Sequence, residues 1–286
     1  MKIIKYFLEF LFIIILFVIF KILGLKLGSN FGSYIGWIFG PFFRSKKKII
    51  SNIKKAFPKI DEKNINIIAR KMWKNYGRIL SEYIFIKQFR QSKNEKFIKI
   101  EGQKILVDIK ESKEPVIFIS GHFDNFELMA MQIEKSGINL AAIYRPLNNI
   151  FLNKIMERIR KKYICKNQIK KGKSGTRELL EFFKKKYSIA LMIDQRVSEG
   201  IRSNFFGQPA LTTTIPAQLV KKFGCKIVPV YIERIEANEF KLTINKPMNF
   251  EKESSIEEIT LDLNKWLEKM ILTNPSQWIW SHNRWK

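Results

Sequence analysis

The stretch from residue 3 to residue 25 is almost entirely apolar, and no charged side chain occurs between Phe10 and Phe20. A bilayer core needs about 20 residues of helix, and the stretch reaches that length only if Lys5, Glu9 and Lys21 are accommodated. Lys5 and Glu9 lie one helical turn apart and can pair, and lysines near the ends can extend their charges to the interface. The stretch therefore predicts an uncleaved membrane anchor.

The flanks of the anchor bear on its processing and orientation. A cleaved secretory signal is the alternative, but the segment Leu25-Lys26-Leu27 does not resemble a small-x-small cleavage site. Basic residues are more numerous after the anchor than before it, which places the rest of the chain in the cytoplasm; they are Lys21, Lys26, Arg44, Lys46, Lys47 and Lys48. Cys165 and Cys225 lack metal-ligand spacing, as expected of free thiols in a reducing compartment.

Four glycines at intervals of four residues follow the anchor, namely Gly28, Gly32, Gly36 and Gly40. On a helix they line one face and permit close backbone packing. We therefore predict a second helix over residues 27–43, packed on the first and ended by Pro41, with a loosely structured linker as the alternative. The chain is then divided into a membrane anchor with an interfacial helix, residues 1–45, and a second domain, residues 46–286.

The chain is strongly basic, with 52 Lys and Arg against 26 Asp and Glu and a formal net charge of +26. Such a charge attracts nucleic acid, anionic lipid or acidic protein. The chain is also rich in Lys, Ile and Asn, which AT-rich codons encode, so compositional drift is an alternative source of part of the excess.

From Pro115 onward, short apolar runs alternate with helical patterns. The alternation predicts an α/β fold in which a mixed, mostly parallel sheet is flanked by helices. The predicted strands are residues 116–120, 139–144, 188–193, 226–235 and 240–244. The predicted helices of this region are residues 150–162, 174–186, 212–223 and 255–273, and an earlier helix begins at Asp61 and runs to about residue 86.

His122 is one of two histidines in the chain, and it lies in the turn between the predicted strand 116–120 and the next helix. Glu127, in the first helical turn, can reach back to one imidazole nitrogen and leave the other free to take a proton from a hydroxyl. The alternative is a capping box, in which Asp124 caps the helix and Glu127 returns to its N–H group. The spacing alone leaves both interpretations open.

Other motifs are incomplete. Gly172-Lys173-Ser174 resembles the end of a phosphate-binding loop, but Asn167 stands where that loop needs a glycine. The sequence contains no G-x-S-x-G elbow of a serine hydrolase. Two histidines and two scattered cysteines cannot build a zinc finger or a His-rich metal site.

An ordered set of short motifs extends from the anchor to the last residue. In chain order the motifs are Ser51-Asn52-Ile53, Ala56-Phe57-Pro58, Gly121-His122-Phe123 with Glu127, Tyr144-Arg145-Pro146, Asp194-Gln195, Phe205-Phe206-Gly207 with Ala210 and residues 212–214, and the C-terminal segment 274–286. The set resembles the bacterial lipid A biosynthesis acyltransferases of the lauroyl and myristoyl type. These share the H-x4-D/E motif of the glycerolipid-type acyltransferases.

The resemblance implies the reaction and its partners. A fatty acyl chain would pass from acyl carrier protein to a hydroxyl of a lipid A precursor, at the cytoplasmic face of the inner membrane. His122 would be the base and Glu127 its partner, and no metal or cofactor would be needed. The expected partners are acyl carrier protein, the lipid A precursor and membrane lipid, rather than nucleic acid.

The resemblance also implies roles for Arg145, Arg160 and Asp194 in binding substrate. The alternative is a solvated charge for each arginine and a strand-end turn residue for Asp194. Arg196 departs from the family pattern, because members often carry an acid at that position. The sequence therefore does not predict a functional acidic pair at Asp194.

The C-terminal segment leaves two questions open. Trp278, Trp280 and Trp285 can contact membrane lipid or pack beneath the second domain, and His282 is a second candidate base or a structural hydrogen-bonding residue.

Two alternative functions also stay open. They are acyl transfer to a glycerophospholipid or other glycolipid, and membrane-anchored binding of polyanions without catalysis.

Overall fold

Helix α1, Lys2–Phe43, forms the N-terminal part of the computed structural model, which describes residues 2–92 and 96–286. Gly24 breaks α1 into two segments because its backbone is left-handed, with φ 73 and ψ 173, a conformation that glycine adopts without steric cost. Within the described ranges, α1 is the one helix long and apolar enough to cross a membrane. The predicted pair of helices is present, and the second continues two residues beyond Pro41.

The glycine face of α1 packs mainly on helix α3, Glu62–Glu82, rather than on the first segment of α1. A Cβ atom at Gly32 would overlap the carbonyl oxygen of Gly77, and one at Gly36 would overlap that of Trp73. Only Gly28 faces the first segment, against Phe20. The prediction of close packing is confirmed, but the main partner of the second segment is α3.

Replacing Gly77 with alanine tests this helix contact. Alanine favours an isolated helix over glycine, yet its methyl group would overlap the backbone of Gly32. We expect the overlap to dominate and to lower the free energy of unfolding by about 1–3 kcal/mol, measured by thermal unfolding in detergent. Asn66→Ala, at an exposed position of α3, is the control and should change stability by less than about 0.5 kcal/mol. Equal effects of the two substitutions would contradict the prediction.

The described residues form a seven-stranded mixed sheet, mostly parallel, in the order β1-β9-β8-β2-β5-β3-β4. Its strands are β1 Ile98–Glu101, β2 Ile117–Ser120, β3 Leu140–Tyr144, β4 Asn167–Lys170, β5 Ser188–Met192, β8 Ile227–Glu236 and β9 Glu239–Ile244. Neighbouring strands are parallel except β8 and β9. The predicted fold class is confirmed. Strand β4 and a separate hairpin, β6 Ile201–Phe205 with β7 Gln208–Thr212, were not predicted.

Helices connect and flank the strands. They are α2 Lys46–Ala56, α4 Ile86–Gln91, α5 Gln103–Ser112, α6 Glu127–Lys135, α7 Ile150–Ile159, α8 Lys173–Lys184, α9 Ile215–Phe223 and α10 Ile256–Thr273. A π turn over Arg160–Ile164 extends α7. The central strand β2 is buried along its whole length, as expected of a parallel strand covered on both faces.

The C-terminal segment packs beneath the second domain. Trp278 and Trp280 are fully buried, and Phe123 forms an antiparallel bridge with Trp278 next to the turn that carries His122. The buried Arg284 donates hydrogen bonds to the carbonyl of Leu211 and to the hydroxyl of Thr212. Of the two alternatives for Trp278 and Trp280, packing is the one observed.

Candidate active site

His122 and Asp194 meet because β2 and β5 are parallel neighbours, with Ser120 in register with Met192. The carboxyl ends of parallel strands lie at one edge of the sheet. The Nδ1 atom of His122 lies 2.7 Å from Oδ1 of Asp194, and the backbone N–H of His122 donates to Oδ2 at 2.8 Å. A carboxylate only accepts, so Nδ1 carries the proton. Nε2 is then the nitrogen available to accept one.

Asp194 is fully buried and also accepts a hydrogen bond from Nε1 of Trp278 at 3.0 Å. Burial alone would raise the pKa of Asp194. The charge and the two hydrogen bonds of His122, together with the Trp278 bond, outweigh it and hold the pKa below its ordinary value. The carboxylate is therefore ionised and can stabilise a positive charge on the imidazole.

Glu127 does not occupy the position predicted for it. Its carboxylate accepts from Nε of Arg160 at 2.9 Å and also from Nη2 of that arginine. Helix α6 begins at Glu127, and the side chain extends toward α7 rather than back to the preceding turn. The predicted contact between Glu127 and His122 is wrong, since Asp194 holds the imidazole. A catalytic role for Glu127 stays a prediction.

Arg160 is the first residue of the π turn that follows α7. Its side chain is 12% exposed, and its Nη1 atom is buried with no hydrogen-bond partner among the described residues. The guanidinium also lies 5.7 Å from the centre of the Tyr144 ring. The ion pair with Glu127 thus fixes the guanidinium in place, and a small part of its charged side chain faces solvent, where it can attract an anion.

Asp124 does not cap helix α6, contrary to the capping-box interpretation. The N-cap residue is Phe126, and it makes no side-chain capping bond. Asp124 has a left-handed backbone with φ 36, and its carboxylate is directed into the protein, where Arg234 donates to Oδ1 at 2.7 Å. The predicted capping role of Asp124 is therefore wrong, and its carboxylate instead pairs with Arg234.

Arg234 joins two buried carboxylates. Its guanidinium donates to both oxygens of Glu82, at 2.7 and 2.9 Å, as well as to Asp124. Glu82 also accepts from Asn125 at 3.0 Å and from Ser29 of α1 at 2.7 Å. Burial raises the pKa of Asp124 above its ordinary value, although Arg234 opposes that shift. This buried ionic cluster links α1, α3 and β8 to the turn that carries His122.

Arg145 and Lys171 lie at the same edge of the sheet as His122. Tyr144 is in register with Lys170, so Arg145 and Lys171 leave β3 and β4 side by side. Burial and then the charge of Arg145 lower the pKa of Lys171. Strands are spaced by roughly 5 Å, which places the two backbones roughly 10–15 Å from His122. Lys171 was missed because β4 is short and half-polar.

The family-like sequence motifs contact one another. Asn52 donates to the carbonyl oxygens of Trp280 at 2.8 Å and His282 at 2.6 Å, and Phe57 packs on Trp280 and Phe206. Motifs that are far apart in the chain thus build one structure beneath the His122 turn.

Comparison with known proteins identifies the family. The family model for bacterial lipid A biosynthesis acyltransferases matches residues 1–286. The chain belongs to this family. It is therefore an acyltransferase, and the family implies a lipid A precursor as its substrate. The apolar α1 and the family membership both support the predicted association with a membrane.

Individual relatives are distant. The lipid A biosynthesis lauroyltransferase of Escherichia coli (strain K12) is 23% identical over 254 residues, which cover 86% of this chain and 80% of that protein. The lipid A biosynthesis palmitoleoyltransferase of the same organism is 22% identical over 260 residues, covering 89% and 83%. Among solved structures, the 1-acyl-sn-glycerophosphate acyltransferase PlsC of Thermotoga maritima covers 87% of this chain and 98% of that chain. Its identity is 15% and its TM-score 0.43, so that likeness supports no argument about the site.

The remaining polar groups near His122 differ in their contacts. The side-chain nitrogen of Gln195 lies 3.4 Å from Nε2 of His122, and Nδ1 of His282 is buried with no hydrogen-bond partner among the described residues. Arg196 stands where members of the family often carry an acid. In this acyltransferase its side chain donates to the backbone carbonyl of Lys286 at 3.0 Å. Burial lowers the pKa of His282 to about 4, so its ring is neutral at pH 7. The described residues contain no group of three or more His, Cys, Asp or Glu that could hold a metal ion.

Proposed function

We propose that His122 is the general base of an acyl transfer from acyl carrier protein to a hydroxyl of a lipid A precursor, at the cytoplasmic face of the inner membrane. Residues 1–45 serve as the membrane anchor with its interfacial helix, and residues 46–286 form the acyltransferase domain. The observation that carries the proposal is the hydrogen bond of 2.7 Å between His122 Nδ1 and the buried Asp194, which leaves Nε2 to accept a proton.

The reaction follows from this tautomer. Nε2 of His122 takes the proton of the acceptor hydroxyl as its oxygen attacks the thioester carbonyl carbon. The tetrahedral intermediate collapses, the carbon–sulfur bond breaks, and the imidazolium returns the proton to the departing thiolate. The products are an ester and the free thiol of the carrier. Asp194 orients the imidazole and stabilises its positive charge, in the manner of a buried carboxylate behind a catalytic histidine.

Arg160, Arg145 and Lys171 supply positive charge around the base. Glu127 positions Arg160 through their ion pair, and the part of the Arg160 side chain that stays exposed, 12%, binds an anionic group of the substrates. Arg145 and Lys171, which project from adjacent strand ends, bind phosphate further along the edge. The net charge of +26 favours encounter with an acidic carrier and with phosphorylated lipid.

Acylation assays test this function. Membranes containing the protein are incubated with an acyl-carrier-protein thioester and a tetra-acylated lipid A precursor, and the increase in lipid mass is followed. We expect one acyl chain to be added, and we expect His122→Ala to abolish the addition. Transfer only to a lysophospholipid would instead support a glycerophospholipid acceptor. Salt-sensitive binding with no acylated product would support a polyanion-binding protein.

A further inference from the structure

One end of helix α7 rests on the membrane anchor. The ring of Phe151 lies 5.6 Å from that of Phe7 and 5.8 Å from that of Phe10, measured between ring centres. The side-chain amide of Asn149, which caps α7, donates to the backbone carbonyl of Tyr6 at 2.8 Å. The N-terminal end of α7 is therefore fixed beside the second and third turns of α1.

The apolar surface of the anchor continues onto α7. Ile150 is 51% exposed and Leu147 is 39% exposed, and both flank the contact between Phe151 and the anchor. The anchor itself exposes a nearly continuous apolar surface in this region, formed by Ile3, Ile4, Phe7, Leu8, Leu11 and Phe12. Because α7 contacts this end of the anchor, an anchor that lies along the membrane surface brings the start of α7 to the lipid headgroups as well.

Beyond this apolar end, α7 presents basic side chains on one face. Lys154, Arg158 and Lys161 recur at intervals of three to four residues, so they lie on the same side of the helix. With Lys162 and Glu157 they line a shallow, open cavity of about 580 Å³. The one acid, Glu157, already accepts hydrogen bonds from Tyr144 and Asn153. The surface is thus left with four cations and no free carboxylate of its own.

We propose that α7 is an interfacial helix, with Ile150 and Leu147 inserted among lipid headgroups and its basic face bound to the phosphates of anionic phospholipids. An apolar end followed by Lys and Arg on one face is the arrangement by which helices lie on anionic membranes. Continuity with the anchor favours lipid over an acidic protein as the occupant of this face. The same helix leads directly to Arg160 and its ion pair with Glu127, so a membrane-bound α7 lies next to the candidate site.

A fluorescent label reports on this contact without depending on acyl transfer. Ile150→Cys, combined with Cys225→Ala, is labelled with an environment-sensitive dye in the full-length protein. The protein is then placed in vesicles of phosphatidylcholine or of phosphatidylcholine mixed with phosphatidylglycerol. We expect a blue shift and at least twofold stronger quenching by nitroxide-labelled lipid when phosphatidylglycerol is present. Replacing Lys154, Arg158, Lys161 and Lys162 with glutamine should remove this gain.

A variant with the same change in charge controls for the global field of the protein. Lys99, Lys104, Lys110 and Lys113 are exposed residues in and around β1 and α5, at the opposite edge of the sheet from β4. Their replacement with glutamine should change the quenching by no more than about a quarter. Three results would overturn the proposal. The first is a dye at position 150 that stays in water in every vesicle, and the second is an equal loss of quenching in both glutamine variants. The third is unchanged quenching in the α7 variant together with a higher KM for the carrier thioester. The last would assign the basic face to the carrier protein.

Discussion

Replacing Asp194 with asparagine is expected to lower kcat about 100- to 10,000-fold, close to the effect of removing His122 itself. A carboxylate can only accept, so Asp194 fixes the proton on Nδ1 of His122. An asparagine amide can donate to Nδ1 and thereby move the proton to Nε2, where it blocks the base. The measurement is the initial rate of acylation with saturating donor and acceptor, for protein shown to be folded by its thermal unfolding.

Glu127→Gln is the informative comparison, because the sequence motif alone assigns Glu127 to His122. In the structure this glutamate holds Arg160, so we expect a higher KM for the phosphorylated substrates and an unchanged pH profile of kcat. Asp262→Asn, at an exposed position of α10, should have no effect. Near-normal activity in Asp194→Asn, together with a shifted pH profile in Glu127→Gln, would restore Glu127 as the partner of the base.

The sequence predicts candidate residues for this site but not which of them contact each other. His122 was predicted as the base and Asp194 as a substrate-binding residue, and each follows a recognisable buried strand. In the structure Asp194 is fully buried and holds the imidazole of His122 instead. Their contact depends on β5 lying next to β2, although β3 and β4 intervene in the chain. Sequence order does not determine that arrangement in a doubly wound sheet. By its spacing in the sequence, Glu127 was within reach of His122. It pairs instead with Arg160, which lies 33 residues further along the chain.

The same limit applies to the glycine face of α1. The four-residue spacing correctly predicts a close helix contact, because only a surface without side chains permits it. The identity of the partner depends on Gly77, a single glycine in α3 that no periodic pattern marks. Hairpin β6–β7 was not predicted for a related reason. It is short, and it is stabilised by residues that are far away in the sequence, such as Asn264 and Arg284.

Replacing Arg234 with methionine is expected to lower the free energy of unfolding by about 3–5 kcal/mol. Arg234 is the cation that bridges Glu82 and Asp124, and both carboxylates are almost completely buried. Methionine has a similar length and fills the space, but it leaves the two carboxylates facing each other in a medium of low polarity. The measurement is thermal or denaturant unfolding in detergent. Arg202→Met, on the exposed side of β6, is the control and should cost less than about 0.5 kcal/mol.

The loss in Arg234→Met should depend on pH in a defined direction. The pKa of Asp124 is already above its ordinary value because of burial, and removing Arg234 takes away the charge that opposes this shift. A carboxyl whose folded-state pKa exceeds its unfolded pKa binds more protons when folded, so stability falls as pH rises between the two values. The difference between Arg234→Met and the original protein should therefore shrink as the pH is lowered from 8 toward the pKa of Asp124. A difference that grows on acidification would show that the carboxylates are compensated by other cations.

Arg234→Lys separates the charge of this cluster from its geometry. A lysine ammonium keeps the positive charge but lacks the planar fork with which Arg234 reaches both Glu82 and Asp124. We expect lysine to recover part of the stability while the His122 turn is held less firmly, because Asp124 lies two residues from His122. Activity per folded molecule should then fall in both variants, with stability partly restored only in Arg234→Lys. Full recovery of both by lysine would mean that charge alone, rather than the bridging geometry, holds the turn in place.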